Sequence, residues 1–258
     1  MTDLPKLILG NARAAYMGPA FDLSPHFNVA CTVALALEGA LDVRFWHPKS
    51  GWGEWHSSTA ALIPSQTIHH MLCRGRMLFV YFDPRCDDVS GLTNSNVLAA
   101  RTYLVQAGVS GIDLQTIADA LGIKAKPQAS PRILRALQML ESSPNEFQTI
   151  DDAAEIACLS VSRFRALFAK QIGVPFRRYR LWRRMALVMQ ALQAGDSLTE
   201  AALRAGFYDS AHLSASFKEM FGISPSTLLG RGIQIRTEHE LESFTEFTAS
   251  PLHAPLPP

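Results

Sequence analysis

The sequence has no apolar run that approaches the ~18 residues a membrane-spanning helix needs, so neither a span nor a membrane partner is expected. It starts MTDLPK, with an acid and a proline and no apolar core, so no secretory signal is expected. Cysteine is sparse. Cys31, Cys73, Cys86 and Cys158 stand far apart, without a C-x-x-C pair or zinc-ligand spacing. This argues against a disulfide scaffold or a zinc ribbon. It predicts reduced thiols in the cytoplasm, most simply as small buried side chains. No metal and no cofactor is predicted. Charge is also lacking: the net is +1, so no global field announces a polyanion. The 258 residues, 48% hydrophobic and 18% charged, describe a globular chain of two ordinary domains.

What the sequence does have is one pattern written twice. Ile150, Ala153, Ala154 and Ala157 recur at a shift of 48 as Leu198, Ala201, Ala202 and Ala205. Ser160, Phe164, Phe168 and Gly173 recur at a shift of 49 as Asp209, Leu213, Phe217 and Gly222, so the second copy carries one inserted residue in its turn. Each copy reads as a short alanine-rich helix, a tight turn, an N-cap residue and a second amphipathic helix, which is a helix-turn-helix. At 3.6 residues per turn, Phe164, Leu167, Phe168 and Ile172 share one face and Ser162, Arg165, Ala166 and Ala169 the other. In the second copy Leu213, Phe217, Met220 and Phe221 oppose Ala211, Ser214, Ala215 and Lys218. Each second helix thus has an anchored side and a presented side, as a helix in a DNA major groove requires.

A long helix, about Pro175 to Ala194, is expected between the copies, opened by Pro175 and ended at Gly195. From Arg163 to Arg184 there are eight basic residues and no acidic one. Residues 131–230 hold twelve basic and nine acidic groups, whereas residues 1–130 hold ten of each. The basic excess lies where a nucleic-acid face would be.

The stretches AEIACLSVSRFRALF (Ala154–Phe168) and GFYDSAHLSASFKEMFGISP (Gly206–Pro225), with Gly173, Pro175, Tyr179 and Arg184 between them, resemble the DNA-binding domain of AraC/XylS-type transcription regulators. The resemblance implies two helix-turn-helix units joined by a long helix, each placing one helix in successive major-groove segments. It implies base contacts from Ser162, Arg163, Arg165 and Ala166 in the first unit and from Ser210, Ala211, His212 and Ala215 in the second. Phosphate contacts are expected from Ser160, Lys170, Arg177, Arg178, Arg184 and Lys218. The chain departs from the family where Cys158 replaces the usual Gly or Asn of the first turn, where Ala215 replaces a frequent Arg, and where Leu228 replaces an aromatic. Alanine reaches a thymine methyl but cannot read guanine, so base reading is expected to rest on Arg165 and Ser162.

The first half reads as short strands: Val29 to Leu37 as a run buried on both faces, Leu41 to Trp46 alternating, then Ala60 to Pro64 and Met77 to Phe82. Ala61 to His70 resembles a strand, turn and histidine of cupin-type barrels. The expected fold class is α+β: a small N-terminal β-barrel, cupin-like, with two helices, then an all-α domain of two helix-turn-helix units joined by a long helix. The expected boundaries are 1–122 for the sensor and dimerisation domain, 123–131 for a linker, 132–230 for the DNA-binding domain and 231–258 for a disordered tail. Trp46, Trp52, Trp55, His26, His56 and His69 are the candidate effector site at the barrel mouth; core filling and strand-end hydrogen bonding are the plainer reading. Helices from Asn94 to Gln106 and from Leu114 to Leu121 follow. Val97, Leu104 and Val105 either form a dimer interface or pack on the barrel. The expected partners are double-stranded DNA, a small-molecule effector, RNA polymerase and a second copy of the chain. Two alternatives are an enzyme, such as a cupin-type metal-dependent oxygenase fused to a DNA-binding domain, and a regulator whose barrel only dimerises.

Overall fold

A computed structural model describes residues 4–10, 12–108, 112–142 and 149–238 of the chain. The N-terminal half runs β1 (Lys6–Leu9), β2 (Arg13–Pro19), β3 (His26–Phe27), β4 (Cys31–Ala36), β5 (Ala40–His47), β6 (Gly51–Trp52), β7 (His56–Ser58), β8 (Ala60–Ile63), β9 (Ile68–Arg74), β10 (Arg76–Phe82) and β11 (Asp87–Asp88). Helices α1 (Asn94–Ala107) and α2 (Leu114–Leu121) follow, then β12 (Lys124–Ala125). The helical half is α3 (Pro131–Ser142), α4 (Ile150–Ile156), α5 (Val161–Ile172), α6 (Phe176–Gln193), α7 (Leu198–Arg204), α8 (Ser210–Phe221) and α9 (Pro225–Leu229), closed by β13 (Gln234–Thr237). No helix among the described residues is long and apolar enough to cross a membrane.

Two sheets face each other. One has the order β13-β1-β2-β10-β4-β8 and the other β3-β9-β5-β6, with β7 also on β5. The two-residue strands β3 and β6 are too short to bridge to the first sheet, so the pair stays open where a closed barrel was expected. The continuous apolar run of β4 has a physical reason. Ala34 and Ala36 join the core shared with Leu41, Val43 and Met71 of the second sheet, whereas Val33 and Leu35 lie under α1 and α2. A strand covered on both faces has no polar side to show. Strand β5 is covered on one face only, so Leu41 and Val43 are buried while Asp42 and Arg44 are half-buried.

Val97 and Leu104 are fully buried against the first sheet, and Val105 is exposed. Two of the three residues considered for a dimer interface therefore cover the sheet. The expected linker is fastened rather than free. Lys124 and Ala125 pair with Asp88 and Asp87, and Lys126 Nζ donates to the carbonyls of Pro84 and Ile172, both at 2.9 Å.

The expectation of disorder from residue 231 fails as far as residue 238. Strand β13 pairs in parallel with β1, Leu7 opposite Ile235, and the Gln234 amide donates to the Pro5 carbonyl at 2.8 Å. Ile233 and Ile235 pack on the core, which supplies the burial that holds this segment down. The rest of the expected tail lies outside the described residues.

The halves share a core that extends from the sheets through α6 into both repeated units. The Trp182 indole donates to the buried carboxylate of Asp83 at 3.0 Å, and the Arg183 guanidinium lies 3.8 Å from it. Burial pushes the Asp83 carboxyl up from its ordinary value, and the Arg183 charge opposes the shift. On the far side, Ser24 donates from its amide (3.0 Å) and hydroxyl (2.8 Å) to the carbonyl of Gly222 at the end of α8. Gly222 has φ +76°, and a Cβ there would lie 2.7 Å from His26 Nδ1, so glycine permits this close approach.

Candidate nucleic-acid interface

The two repeated units are built alike down to their caps. Thr149 and Ser197 open α4 and α7, each in a reciprocal capping box, with Asp152 and Glu200 returning a bond to the cap amide. The first turn spans residues 157–160 and the second 205–209, so the inserted residue lies in the second turn. Both first helices end with the same pair of backbone bonds. The Cys158 amide donates to Glu155 and that of Leu159 to Ala154; the Gly206 amide donates to Leu203 and that of Phe207 to Ala202. The reversal needs a left-handed residue. Gly206 meets that need at φ +77°, but in the first unit Cys158 takes it at φ +52°, an uncommon and strained state for a residue with a Cβ. Asp209 caps α8 through the His212 amide at 2.7 Å. Ser160 holds the equivalent position ahead of α5 but makes no side-chain cap bond.

Helix α5 buries Phe164, Phe168 and Ile172 and exposes Ser162, Arg163, Arg165, Ala166 and Lys170. Helix α8 buries Leu213, Phe217 and Met220 and exposes Ala211, His212, Ala215 and Lys218. Seven of the eight residues expected at bases are exposed: Ser162, Arg163, Arg165, Ala166, Ala211, His212 and Ala215. His212 is exposed but turned back on its own turn, with Nδ1 3.5 Å from the Tyr208 amide and its ring edge-on to Phe207. Ser210 is half-buried, and its carbonyl accepts from Ser214, which removes that hydroxyl from the presented side.

Among the expected phosphate contacts, Ser160, Lys170, Arg177 and Lys218 are exposed. Two others have structural partners instead. Arg178 is half-buried, with its guanidinium 4.0 Å from the centre of the Phe27 ring and an ion pair to Glu219 at 3.4 Å, so it belongs to the contact between the halves. Arg184 donates from Nε to the Ala205 carbonyl at 2.8 Å and stacks 3.8 Å from the centre of the Phe207 ring. Burial, then the charge of Arg180, lowers its pKa to about 10. Arg184 holds α6 to the second turn and is not available to a phosphate in this arrangement. Tyr208, which the sequence reading passed over, is 85% exposed just ahead of α8. Its only sequence signal was an aromatic in a turn with no apolar periodicity to absorb it.

The six candidate effector residues do not form one site. His26 and His69 are buried with ring centres 4.2 Å apart, and each Nδ1 donates to a nearby carbonyl, of Ser24 and Thr67 respectively. Burial, then the neighbouring His69, lowers the pKa of His26 to about 3, so the pair is neutral. Trp52 and Trp55 instead pack on His70, with Trp46 edge-on to Trp52, on the opposite face of the second sheet, where the Arg44 guanidinium is 4.7 Å from the Trp52 ring centre and 4.4 Å from that of Trp55; His56 is exposed on β7. Among the described residues no three of His, Cys, Asp and Glu come together as a metal site requires. An apolar cavity of about 110 Å³ lies elsewhere, between the first sheet and the helical half. It is lined by Tyr16, Phe21, Phe79 and Tyr81 on one side and by Trp182, Met185, Met189, Phe217 and Phe221 on the other, with Asp83 and Arg183 at its edge; none of the six candidates lines it.

Doubled capped units, each with one buried and one presented helix face, define a helix-turn-helix DNA-binding protein. Residues 153–231 match the model of a helix-turn-helix domain family. The chain is 37% identical over 89 residues to the HTH-type transcriptional regulator YidL of Escherichia coli, covering 34% of this chain and 30% of that protein. It is 26% identical over 96 residues to the HTH-type transcriptional regulator ArgR of Pseudomonas aeruginosa, covering 37% and 29%. The chain thus spans about a third of the length of the curated relatives it matches. The whole fold is similar to that of ToxT from Vibrio cholerae, with a TM-score of 0.52 over 86% of this chain and 99% of that one, at 8% identity. An unsaturated fatty acid-bound form of ToxT superposes with the same TM-score over 89% of this chain and 97% of that one, at 14% identity. The chain thus carries a helix-turn-helix domain similar to those of these transcriptional regulators.

Proposed function

We propose that the chain regulates transcription by reading DNA unequally with its two units and by taking a small apolar effector between its halves. The observation that carries the first part is the contrast between the presented faces. Helix α5 offers Ser162 and Arg165, whereas α8 offers the methyl groups of Ala211 and Ala215 flanked by Tyr208. The first unit specifies bases, and the second fixes register through backbone, methyl and ring contacts. Arg165→Ala is expected to cost about 1–3 kcal/mol of discrimination at one or two positions of the preferred site. Selection of binding sequences with the variant measures it, and an unchanged preferred sequence would refute the assignment.

The effector reading rests on the apolar cavity. Its walls come from the first sheet, α6, α8 and Leu228 of α9, so a ligand there contacts both the DNA-binding half and the sheet. A ligand that prefers one arrangement of the halves shifts the protein toward it, and by linkage DNA shifts the ligand's affinity. The similar ToxT structure contains an unsaturated fatty acid, which makes long-chain carboxylic acids the first compounds to try. One such acid should raise the melting temperature of the wild-type protein, and Met185→Trp, which fills the cavity, should abolish that rise. A rise that survives the substitution places the ligand elsewhere. Dimer formation and contact with RNA polymerase belong to the same proposal, and the exposed Tyr103 and Leu98 on α1 are the residues to test for the former.

A further inference from the structure

An open groove of about 500 Å³ runs between α3 and α5, lined by Arg132, Arg135, Arg163, Leu159, Leu167 and Gln171, with Ser130 and Pro131 at its end. The three arginines are exposed, and among the described residues no acidic one lines the groove and none makes an ion pair with any of the three. The groove is also held in shape: the Ser130 amide and hydroxyl both bond Gln171 Oε1 at 3.0 Å, which ties the start of α3 to the end of α5. Three guanidiniums on such a frame, with no acidic residue among the described lining, repel one another, and an anion in the space between relieves that repulsion.

We infer that this groove takes the sugar-phosphate backbone of the DNA strand flanking the segment read by α5. The inference rests on the DNA-reading proposal above. Arg163 carries the argument for DNA over an acidic protein. It stands one helical turn from exposed Ala166 of the presented face, at the i, i+3 spacing that makes neighbours on a helix surface, so the basic groove borders that face, and a duplex seated on it brings its flanking phosphates alongside. Arg163, expected from the sequence to touch a base, then positions the duplex, and specificity stays with Arg165 and Ser162. Arg132 and Arg135 extend the footprint beyond the two helix-turn-helix units, onto a helix that belongs to neither.

The test uses the full chain and its selected site carried on a long duplex, with affinity measured across salt concentrations. Each phosphate contact contributes a slope of about −0.9 in log K against log salt. Arg132→Ala combined with Arg135→Ala should make the slope shallower by about 1.8, the sum of two such contacts. It should weaken binding without altering the preferred sequence, and trimming the duplex beyond the first unit should erase the difference from wild type. Arg132→Lys with Arg135→Lys should keep the slope, since the charge is retained. An unchanged slope and affinity in the alanine variant, while Arg165→Ala still alters the preferred sequence, would overturn the groove and leave the reading face standing. In that case an acidic protein partner is the occupant to pursue. If the wild-type chain binds no duplex at all, both proposals fall together.

Discussion

Phe168→Ala is expected to cost about 3–5 kcal/mol of stability, within the range for truncating a buried aromatic ring. Phe168 is fully buried, with its ring centre 5.6 Å from that of Phe164, 5.3 Å from Phe176 and 5.8 Å from Tyr179. It therefore joins α5 to the start of α6 and fixes which face of α5 turns outward. Urea unfolding should show the midpoint falling with little change in slope, and DNA binding should fail at temperatures where the wild type still binds. A loss below about 1 kcal/mol would mean that the site collapses around the missing ring, and that Phe168 does not set the orientation of α5.

The second large effect concerns the clasp between the halves. Asp83→Ala leaves the Trp182 indole N–H buried without an acceptor, and leaves Arg183 with only Glu141, at 3.8 Å. Removing one partner of a buried charged pair typically costs about 3–5 kcal/mol, because the remaining charge stays buried. Asp83→Asn keeps an acceptor for Trp182 and for the Arg85 amide, which donates to Asp83 at 2.8 Å, and should lose markedly less. The comparison separates hydrogen bonding from charge. Equal losses in the two variants would show that the Arg183 pairing dominates, and no loss in either would show that the halves do not depend on this contact.

The doubled unit was legible in the sequence because its constraints are local. The turn spacing, the cap at Asp209 and the 3.6-residue spacing of Phe164, Phe168 and Ile172 all act within a few residues of each other. The run of β4 was legible for the same reason. What stayed hidden depends on residues far apart in the chain. Arg178 and Arg184 look like phosphate ligands by composition, yet their guanidiniums rest on Phe27 and Phe207, and periodicity does not say which face of α6 meets which neighbour. Strand β13 is a short polar-apolar alternation whose partner lies more than 220 residues earlier, at β1. The cavity draws residues from the first sheet and from three helices, so no single stretch announced it. The tryptophans and histidines did cluster in sequence, but strand alternation sent His69 inward and His70 and Trp46 toward the opposite face. Arg132 and Arg135 went unremarked because two exposed arginines on a helix carry no signal until the groove beside Arg163 is seen.

The measurement that tests the central claim most directly is selection from random genomic fragments by the purified full-length chain, at low salt, with and without added cell extract. The account predicts an enriched site with two segments about one helical turn, ~10 base pairs, apart, the segment bound by α5 being the more sharply defined. A requirement for extract would point to the effector. No enriched sequence under either condition would contradict the claim that the presented faces of α5 and α8 read DNA.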